Sequence, residues 1–117
     1  MNKRTTGAVY ERIAGAFLEK QGYQIIACNF RCRLGEIDLI AKDGRYLVFV
    51  EVKYRKNDET GNPLEAVNRR KQQIISRVAN YYCLTHGYGE NTPCRFDVVA
   101  IWGERIKVVK NAFEYQG

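Results

Sequence analysis

Acidic residues and a lysine stand toward the outer ends of two apolar runs in the stretch GEIDLIAKDGRYLVFVEVK, residues 35–53. Glu36 and Asp38 lie in the first run, and Glu51 and Lys53 end the second. Carboxylates that lie close together repel one another, and one lysine cannot neutralise three acids. A divalent cation such as Mg²⁺ can, since it prefers oxygen ligands and is usually held by one or two carboxylates plus substrate phosphate. The residue types therefore indicate a metal site.

Lys53 suits phosphate chemistry beside such a cation. Its compact ammonium can orient or help deprotonate a water that attacks phosphorus, a role that the planar guanidinium of arginine fills less well. A second interpretation is open, because Glu-x-Lys is a common pattern. Glu51 and Lys53 would then be a solvated strand end and Asp38 a charge at the strand edge. An acid placed between Ile37 and Leu39 is less common and favours the metal site.

The two runs are predicted to be antiparallel strands joined by a tight turn. Asp43-Gly44 is a dipeptide that supplies the positive φ of a type I′ hairpin. With these two residues as the turn, Asp38 faces Phe49 and Glu36 faces Glu51. Directly paired residues point to the same side of a sheet. The acids are therefore predicted to share one face.

In this register Asp38 and Glu51 are diagonal neighbours, roughly 7 to 8 Å apart between backbones. Lys53 lies one same-face step beyond Glu51, so the carboxylates can converge on one point within its reach. Near the turn both faces are apolar, which is what a sheet covered by helices on two sides requires. The opposite face is apolar throughout and is predicted to consist of Ile37, Leu39, Tyr46, Val48, Val50 and Val52.

The rest of the chain alternates between helical and strand patterns. Helices are predicted over about residues 5–21, ended by Gly22, and over residues 62–85, opened by Asn62 as N-cap and Pro63. Further strands are predicted at residues 23–31, 94–102 and 105–110, the last two joined by a turn at Gly103-Glu104. This order predicts a mixed α/β sheet in which three strands form an antiparallel meander and a helical crossover returns the fourth beside the third.

One residue in each helix could join the site. Glu11 lies among the small residues Gly7, Ala8, Ala14 and Gly15, which would let the first helix approach the sheet or a phosphate backbone closely. Alternatively, Glu11 is exposed and favours the positive end of the helix.

Lys71 is charged but falls on the apolar stripe of the second helix, predicted as Leu64, Val67, Ile74, Val78 and Tyr81. Its ammonium either belongs to the site, or the aliphatic part of the side chain packs on the core while the ammonium remains in water.

Composition bounds the class of protein. The 117 residues carry a formal net charge of +6 with a pI near 9.3, and their basic residues are clustered. This favours a polyanionic partner. Nucleic acid is the stronger candidate and an anionic membrane surface the weaker one. A chain of this length can bury roughly two-thirds of its extended surface in one domain, and no apolar run approaches the ~20 residues that cross a bilayer. With no signal-peptide pattern at residues 1–15, the expected location is cytoplasmic.

Other chemistries are poorly supported. Cys28 and Cys32, four strand steps or about 13 Å apart, exceed the ~7 Å that a disulfide spans. Cys83, His86 and Cys94 make an incomplete zinc set, so free thiols are expected. Ser76 is the sole serine and His86 the sole histidine, which disfavours a serine triad. Asp97, two residues after Arg95, is predicted to form a local ion pair with it.

These residues carry a family resemblance. Glu11, Asp38 in GEIDLI, and Glu51 and Lys53 in FVEVK resemble the PD-(D/E)xK phosphodiesterase superfamily, with its α-β-β-β-α-β core. More closely, NFRCRLGEIDLIAKDGRYLVFVEVKYR, AVNRRKQQ and RFDVVAI resemble the YraN-type family, which is placed with Holliday junction resolvase-like endonucleases. The match covers nearly the whole chain. Ile37 stands where the superfamily name has proline.

The resemblance implies a single nuclease-like domain over residues 1–117, with a restriction-endonuclease-like core plus a C-terminal strand. It implies Mg²⁺ or Mn²⁺ ligation by Asp38 and Glu51, an acid in the first helix at Glu11 and a catalytic lysine at Lys53. Glu36 is an additional acid of the family motif. Lys71 matches a recurrent basic position and is a candidate for contact with substrate phosphate.

Three functions follow from these patterns. The first is a Mg²⁺-dependent endonuclease acting on structured or damaged DNA, and the second is a non-catalytic nucleic-acid-binding accessory protein. A protein-interaction domain, suggested by eight tyrosines and the basic face, is the third. A two-fold homodimer is compatible with a junction-cutting enzyme. The expected nucleic-acid contacts are the clustered basic residues Arg31, Arg33, Arg55, Lys56, Arg69, Arg70 and Lys71.

Overall fold

The protein has two helices and five strands. The structure, a computed structural model, describes residues 3–55 and 67–117, with side chains from residue 7 onward. In chain order the elements are α1 (Lys3–Lys20), β1 (Gln24–Cys32), β2 (Gly35–Asp43), β3 (Tyr46–Arg55), α2 (Arg69–Thr85), β4 (Cys94–Trp102) and β5 (Arg105–Phe113). This confirms the predicted order of elements. The last strand extends three residues beyond the prediction.

All five strands form one sheet, in the order β1-β2-β3-β4-β5. β1, β2 and β3 pair antiparallel, β4 lies parallel to β3, and β5 returns antiparallel to β4. A parallel neighbour needs a crossover connection, which here contains α2. The mixed α/β architecture is therefore as predicted.

The core lies in two layers, one on each face of the sheet. Along β3, Leu47 and Phe49 pack in the cluster that contains α2, whereas Val48 and Val50 pack in the cluster that contains α1. Because successive side chains of a strand point to opposite faces, a strand covered on both sides needs a continuous apolar run. The run YLVFV at the start of β3 meets this requirement.

The β2–β3 turn differs from the prediction by one residue. Asp43 pairs with Tyr46, so the turn is Gly44-Arg45, with φ +60° at Gly44 only. Glycine at the first central position is typical of a type II′ turn, whereas type I′ needs positive φ at both. Each residue therefore faces a partner two positions later than predicted. The faces are unchanged, because the side-chain period of a strand is two.

Ile37 is a second correction. It was predicted to share a face with Leu39, but Ile37 packs with the α2 cluster and Leu39 with the α1 cluster. The pairing of β2 with β3 ends at Leu39 and Val50, and in β1, Asn29 has a left-handed φ of +53°. The strict alternation of sides is therefore broken at Asp38, where β2 is no longer paired with β3.

Gly35 lets the start of β2 lie close to α2. Its φ is +148°, and a Cβ built on it would lie 2.7 Å from Ile74 Cγ2 and 3.3 Å from Val78 Cγ2. Real Cβ contacts are essentially never shorter than 3.0 Å. This close approach brings the first turn of α2 toward the acidic end of β2.

The second helix begins later than predicted. Its first residue is Arg69, and the N-cap is Asn68, whose Oδ1 accepts a hydrogen bond from the Lys71 N–H at 2.9 Å. Val67 and Asn68 are not helical, so one continuous helix over residues 62–85 was wrong. The predicted Asn62-Pro63 start and Leu64 lie outside the described residues. The buried face of α2 comprises Ile75, Ser76, Val78, Ala79 and Tyr82. It is rotated from the predicted stripe, because among the described members of that stripe within the helix Val78 is buried, whereas Ile74 and Tyr81 are half-buried.

A polar cluster ties the strands together at the end of the sheet that carries the β2–β3 turn. Asp97 is completely buried, and the Tyr23 hydroxyl donates to its Oδ2 at 2.6 Å. Arg95 donates to the same oxygen at 2.9 Å and to Asp43 Oδ2 at 2.7 Å, while the Asn111 N–H donates to Asp97 Oδ1. The predicted ion pair of Arg95 with Asp97 is confirmed, and it belongs to a wider network.

Two further observations bear on the sequence predictions. The four cysteines are free thiols, as expected. Within the described part of the chain, neither helix has the length and apolarity that crossing a membrane requires.

Candidate active site

A cavity of about 450 Å³ opens at the end of the sheet opposite the β2–β3 turn. α1, β2, β3 and α2 all contribute to its wall. The predicted residues Glu11, Asp38, Glu51, Lys53 and Lys71 all line it. The tertiary structure therefore brings together side chains that lie up to sixty positions apart in sequence, and the remaining lining residues are Gly7, Tyr10, Glu36, Val52 and Tyr54.

Asp38 lies where the pairing of β2 with β3 has ended, while β2 remains paired with β1. Its Oδ2 accepts a hydrogen bond from the Val52 N–H at 2.8 Å, just beyond the last β2–β3 pair. A side-chain carboxylate thus takes the place of a backbone carbonyl in the ladder. The residue is only 8% exposed. Asp38 is therefore held rigidly by β3 in the gap between the two strands.

Glu51 is flanked by two amines. Its Oε1 lies 3.5 Å from Lys53 Nζ and 3.7 Å from Lys71 Nζ, and its side chain is 6% exposed. Lys53 comes from the same strand and Lys71 from the first turn of α2. Lys71 therefore directs its charge toward the carboxylate in the cavity. The β2–β3 pairing ends at Leu39 and Val50, so Asp38 and Glu51 lie just beyond the paired part of the two strands.

Glu51, Glu11 and Asp38 have raised pKa values. Burial, with the Asp38 carboxylate as the next cause, raises the pKa of Glu51 to about 7, although Lys71 and Lys53 oppose the change. Burial and the charge of Asp38 likewise raise the pKa of Glu11 to about 7, although a hydrogen bond with the Asn29 side chain lowers it in part. Burial also raises the pKa of Asp38, opposed first by the Val52 N–H. Negative charge is thus concentrated where water screens it poorly.

Asp38 and Glu51 are the two buried carboxylates of the cavity that could hold a hard divalent cation. In residues 3–55 and 67–117 no group of three or more His, Cys, Asp or Glu side chains could surround a metal ion. A closed four-ligand zinc site is therefore not formed there. The charge of Asp38 opposes the ionisation of Glu51, and one or two carboxylates are what usually holds Mg²⁺ in proteins.

Glu36 and Glu11 occupy different positions around this pair. Glu36 lines the cavity but forms an ion pair with Arg31, whose Nε lies 2.9 Å from Glu36 Oε2, and both side chains are about half exposed. Glu11 reaches Asp38 from α1 and is half-buried. The alternative of an exposed Glu11 at the positive end of the helix is therefore wrong, because Glu11 is half-buried and lies near the middle of α1.

The basic residues predicted to bind nucleic acid include two pairs that are adjacent in sequence or structure to lining residues of the cavity, Arg31 and Arg33 near Glu36 and Arg69 and Arg70 near Lys71. Arg31 and Arg33, on the β1 side, are exposed, as are Arg69 and Arg70 at the start of α2. Arg55 is half-buried and donates to the Tyr54 carbonyl at 2.9 Å. Lys56 lies outside the described residues.

Sequence reasoning missed two aromatic residues that line this cavity and one residue that contacts Glu11. Tyr10 and Tyr54 line it with their rings stacked, at a centroid separation of 3.7 Å. Asn29 contacts Glu11 from β1. One signal was present, because asparagine tolerates a left-handed φ better than most residues and so marks irregular strand positions. The tyrosines gave no signal, since aromatic residues are common in any strand or helix core.

The fold and site define a small mixed α/β protein with buried carboxylates and amines in one cavity at the end of its sheet. Residues 10–101 match the family described as "Uncharacterised protein family UPF0102", and the chain belongs to that family. The predicted membership of the YraN-type family is thereby confirmed.

Curated relatives support this membership along the full chain. A UPF0102 protein of Lachnoclostridium phytofermentans is 53% identical over 117 residues, covering 100% of this chain and 99% of the relative. A UPF0102 protein of Syntrophus aciditrophicus is 47% identical, covering 93% of this chain and 88% of the relative. One from Caldicellulosiruptor bescii is 45% identical, covering 97% of this chain and 100% of the relative.

Proposed function

We propose that this protein is a Mg²⁺- or Mn²⁺-dependent phosphodiesterase of the PD-(D/E)xK type, an endonuclease acting on structured or damaged DNA. The observation that carries the proposal is the shared cavity. It holds two buried carboxylates, Asp38 and Glu51, with two amines within 3.7 Å of Glu51. Such a set combines a cation site with positive groups suited to a phosphate. The restriction-endonuclease-like topology is part of the same proposal and is supported by the order of the elements.

Asp38 and Glu51 are the residues that would hold the cation. When bound, the cation neutralises their charge and polarises a phosphoryl oxygen of the substrate. Asp38 is fixed by the Val52 N–H and Glu51 by burial. Two ligands on rigid strands, rather than on loops, give the site a defined geometry.

The two amines have different roles in this proposal. Lys53, on the same strand and two residues after Glu51, orients the attacking water with its ammonium. Lys71, on α2 and across the cavity, binds a non-bridging phosphate oxygen. Glu11 has a pKa of about 7, so it can accept or release a proton near neutral pH, where acid–base groups work best.

DNA supplies the polyanion that the charge distribution favours. Exposed arginines lie near lining residues of the cavity, Arg31 and Arg33 near Glu36 and Arg69 and Arg70 near Lys71. Neutralising phosphates with such residues releases counterions, which makes affinity fall steeply with salt. These contacts position the backbone without reading sequence, in keeping with a substrate recognised by its structure.

Cleavage assays test this proposal directly. Branched, flapped, nicked and single-stranded DNA are incubated with Mg²⁺ or Mn²⁺, and products are resolved on denaturing gels. We expect cleavage by the wild type and a loss of about hundredfold or more in Lys53→Ala and Asp38→Asn, by analogy with removal of one group that stabilises a transition state. Lys107→Ala, an exposed lysine of β5, is the matched control. Wild-type activity no higher than that of the site variants would refute the proposal.

A non-catalytic DNA-binding accessory protein is the second candidate. The exposed arginines beside the cavity favour this candidate, because they can bind phosphate whether or not the buried residues catalyse hydrolysis. Steep salt dependence of binding without cation-dependent cleavage would establish this function. Binding that survives Arg69→Ala with Arg70→Ala, and equally Arg31→Ala with Arg33→Ala, would remove both this candidate and the proposed DNA surface.

A further inference from the structure

Two tyrosines form one wall of the cavity. Tyr10 of α1 and Tyr54 of β3 lie ring on ring, with centroids 3.7 Å apart and planes inclined by 17°. Both rings are half-buried, and both line the space that holds Asp38, Glu51 and Lys53. Tyr54 directly follows Lys53 along β3. The aromatic pair is therefore built into the same strand end as the candidate catalytic lysine.

The cavity is large enough to hold a small molecule. Its volume of about 450 Å³ falls within the range of roughly 300 to 1,000 Å³ that is typical of pockets for small molecules. Lys53 and Lys71 supply positive charge beside Glu51, while the tyrosine pair supplies flat apolar surface. Charge for a phosphate and a ring surface for a base are the two components of a nucleotide site.

We propose that the Tyr10–Tyr54 pair is a base-stacking wall, and that the site accepts a nucleotide whose base is unpaired. The substrate class is then single-stranded DNA, a flap or a frayed end, rather than the interior of a continuous duplex. This inference rests on the proposed function, since it places the phosphate of the stacked nucleotide at the amines of the same cavity.

The physical reason is the availability of the base. Inside a duplex each base is stacked on its neighbours and must be extruded before it can enter a pocket. An unpaired base has free faces, and stacking on aromatic side chains tolerates any sequence because every base has a π-face. Stacking surfaces combined with positive charge along the backbone are typical of proteins that bind single strands. The cavity therefore selects nucleotides whose bases are unpaired.

Binding without cleavage tests the inference separately from the proposed function. The probe is a short oligodeoxythymidylate with one central 2-aminopurine, whose fluorescence falls when the base stacks. It is titrated in EDTA, both single-stranded and annealed to its complement. For the wild type we expect quenching of the single strand on binding, and tighter binding of the single strand than of the duplex.

Substitutions of Tyr54 isolate the ring. Tyr54→Leu keeps apolar volume but removes the stacking face, so we expect about tenfold weaker binding of the single strand and loss of quenching, with duplex affinity nearly unchanged. Tyr54→Phe keeps the ring and is the matched control, expected to bind and quench as the wild type does. Tyr10→Leu tests the partner ring, and urea unfolding verifies that each variant is folded.

The outcomes separate the two proposals. Equal binding and quenching by wild type and Tyr54→Leu would overturn the stacking wall. So would a wild type that binds duplex as tightly as the single strand, a result that needs no variant. Quenching that depends on Tyr54 in a protein that cleaves nothing would support the stacking wall and refute the nuclease.

Discussion

Replacing Glu51 by glutamine should make the protein more stable at alkaline pH, although Glu51 is a candidate metal ligand. The carboxylate is buried, and burial together with Asp38 raises its pKa from 4.5 to about 7. Glutamine has nearly the same shape and carries no charge. Removing a charge that the folded state disfavours should therefore stabilise the fold wherever that charge is present.

The sign and size of the effect follow from proton linkage. Because the folded state holds the Glu51 proton more tightly than the unfolded state does, stability is highest below pH 4.5 and falls as pH rises toward about 7. Each pH unit between the two pKa values corresponds to about 1.4 kcal/mol. The charge thus costs up to about 3 kcal/mol above pH 7 and less than about 1 kcal/mol at pH 5.

Urea unfolding followed by circular dichroism at pH 5 and pH 8, in EDTA, measures this difference. We expect Glu51→Gln to exceed the wild type by up to about 3 kcal/mol at pH 8 and by little at pH 5. Glu36→Gln is the matched control. Glu36 makes a half-exposed ion pair with Arg31, and such surface pairs contribute up to about 1 kcal/mol, so this variant should be slightly less stable.

A divalent cation should reverse the order. Mg²⁺ bound at Asp38 and Glu51 stabilises the wild type by mass action, and it should stabilise Glu51→Gln much less. The reasoning is refuted if Glu51→Gln is less stable than the wild type at pH 8, or if its advantage is the same at pH 5. The first result would mean that Lys53 and Lys71 compensate the buried charge fully, and the second that the advantage does not come from ionisation of Glu51.

Three further predictions concern other parts of the structure. Gly35→Ala should destabilise the fold by about 1–3 kcal/mol in urea unfolding, because the new Cβ meets Ile74 and the φ of residue 35 is +148°. The control Gly15→Ala should be neutral or stabilising, because a Cβ at residue 15 points into open space. Tyr23→Phe should cost about 1–3 kcal/mol by removing the 2.6 Å hydrogen bond to buried Asp97; equal stability would contradict the role of that network. Lys71→Ala should weaken DNA binding and lower the salt slope by about one, measured by fluorescence anisotropy at several salt concentrations; an unchanged slope would exclude phosphate contact by Lys71.

The pattern of residues was sufficient for the order of the elements. Apolar periodicity distinguished helices from strands, and the run YLVFV of β3 required a sheet covered on both faces. Glu51 and Lys53 were also predicted to share a face with Asp38. The wrong turn does not by itself alter that prediction, because moving the register by two residues preserves the side of the side chains in the paired part of the strands.

Local patterns were insufficient where a long-range contact outweighed them. The pairing of β2 with β3 ends before Asp38, whose side chain accepts the Val52 N–H. Beyond this point the alternation of a regular strand no longer holds, and Ile37 packs on the α2 side of the sheet. The start of α2 at Asn68 was likewise obscured by the stronger local signal of Asn62-Pro63.

The sequence by itself determined which residues carry charge, which elements they belong to and which side of a strand they take, because these depend on residue type and on the fixed periods of helix and strand. Only the tertiary structure decided that Lys71 of α2 reaches Glu51, that Glu11 meets Asp38, and that Tyr10 stacks on Tyr54. Such contacts join distant parts of the chain. They depend on how helices pack on a twisted sheet, and no local period encodes that packing.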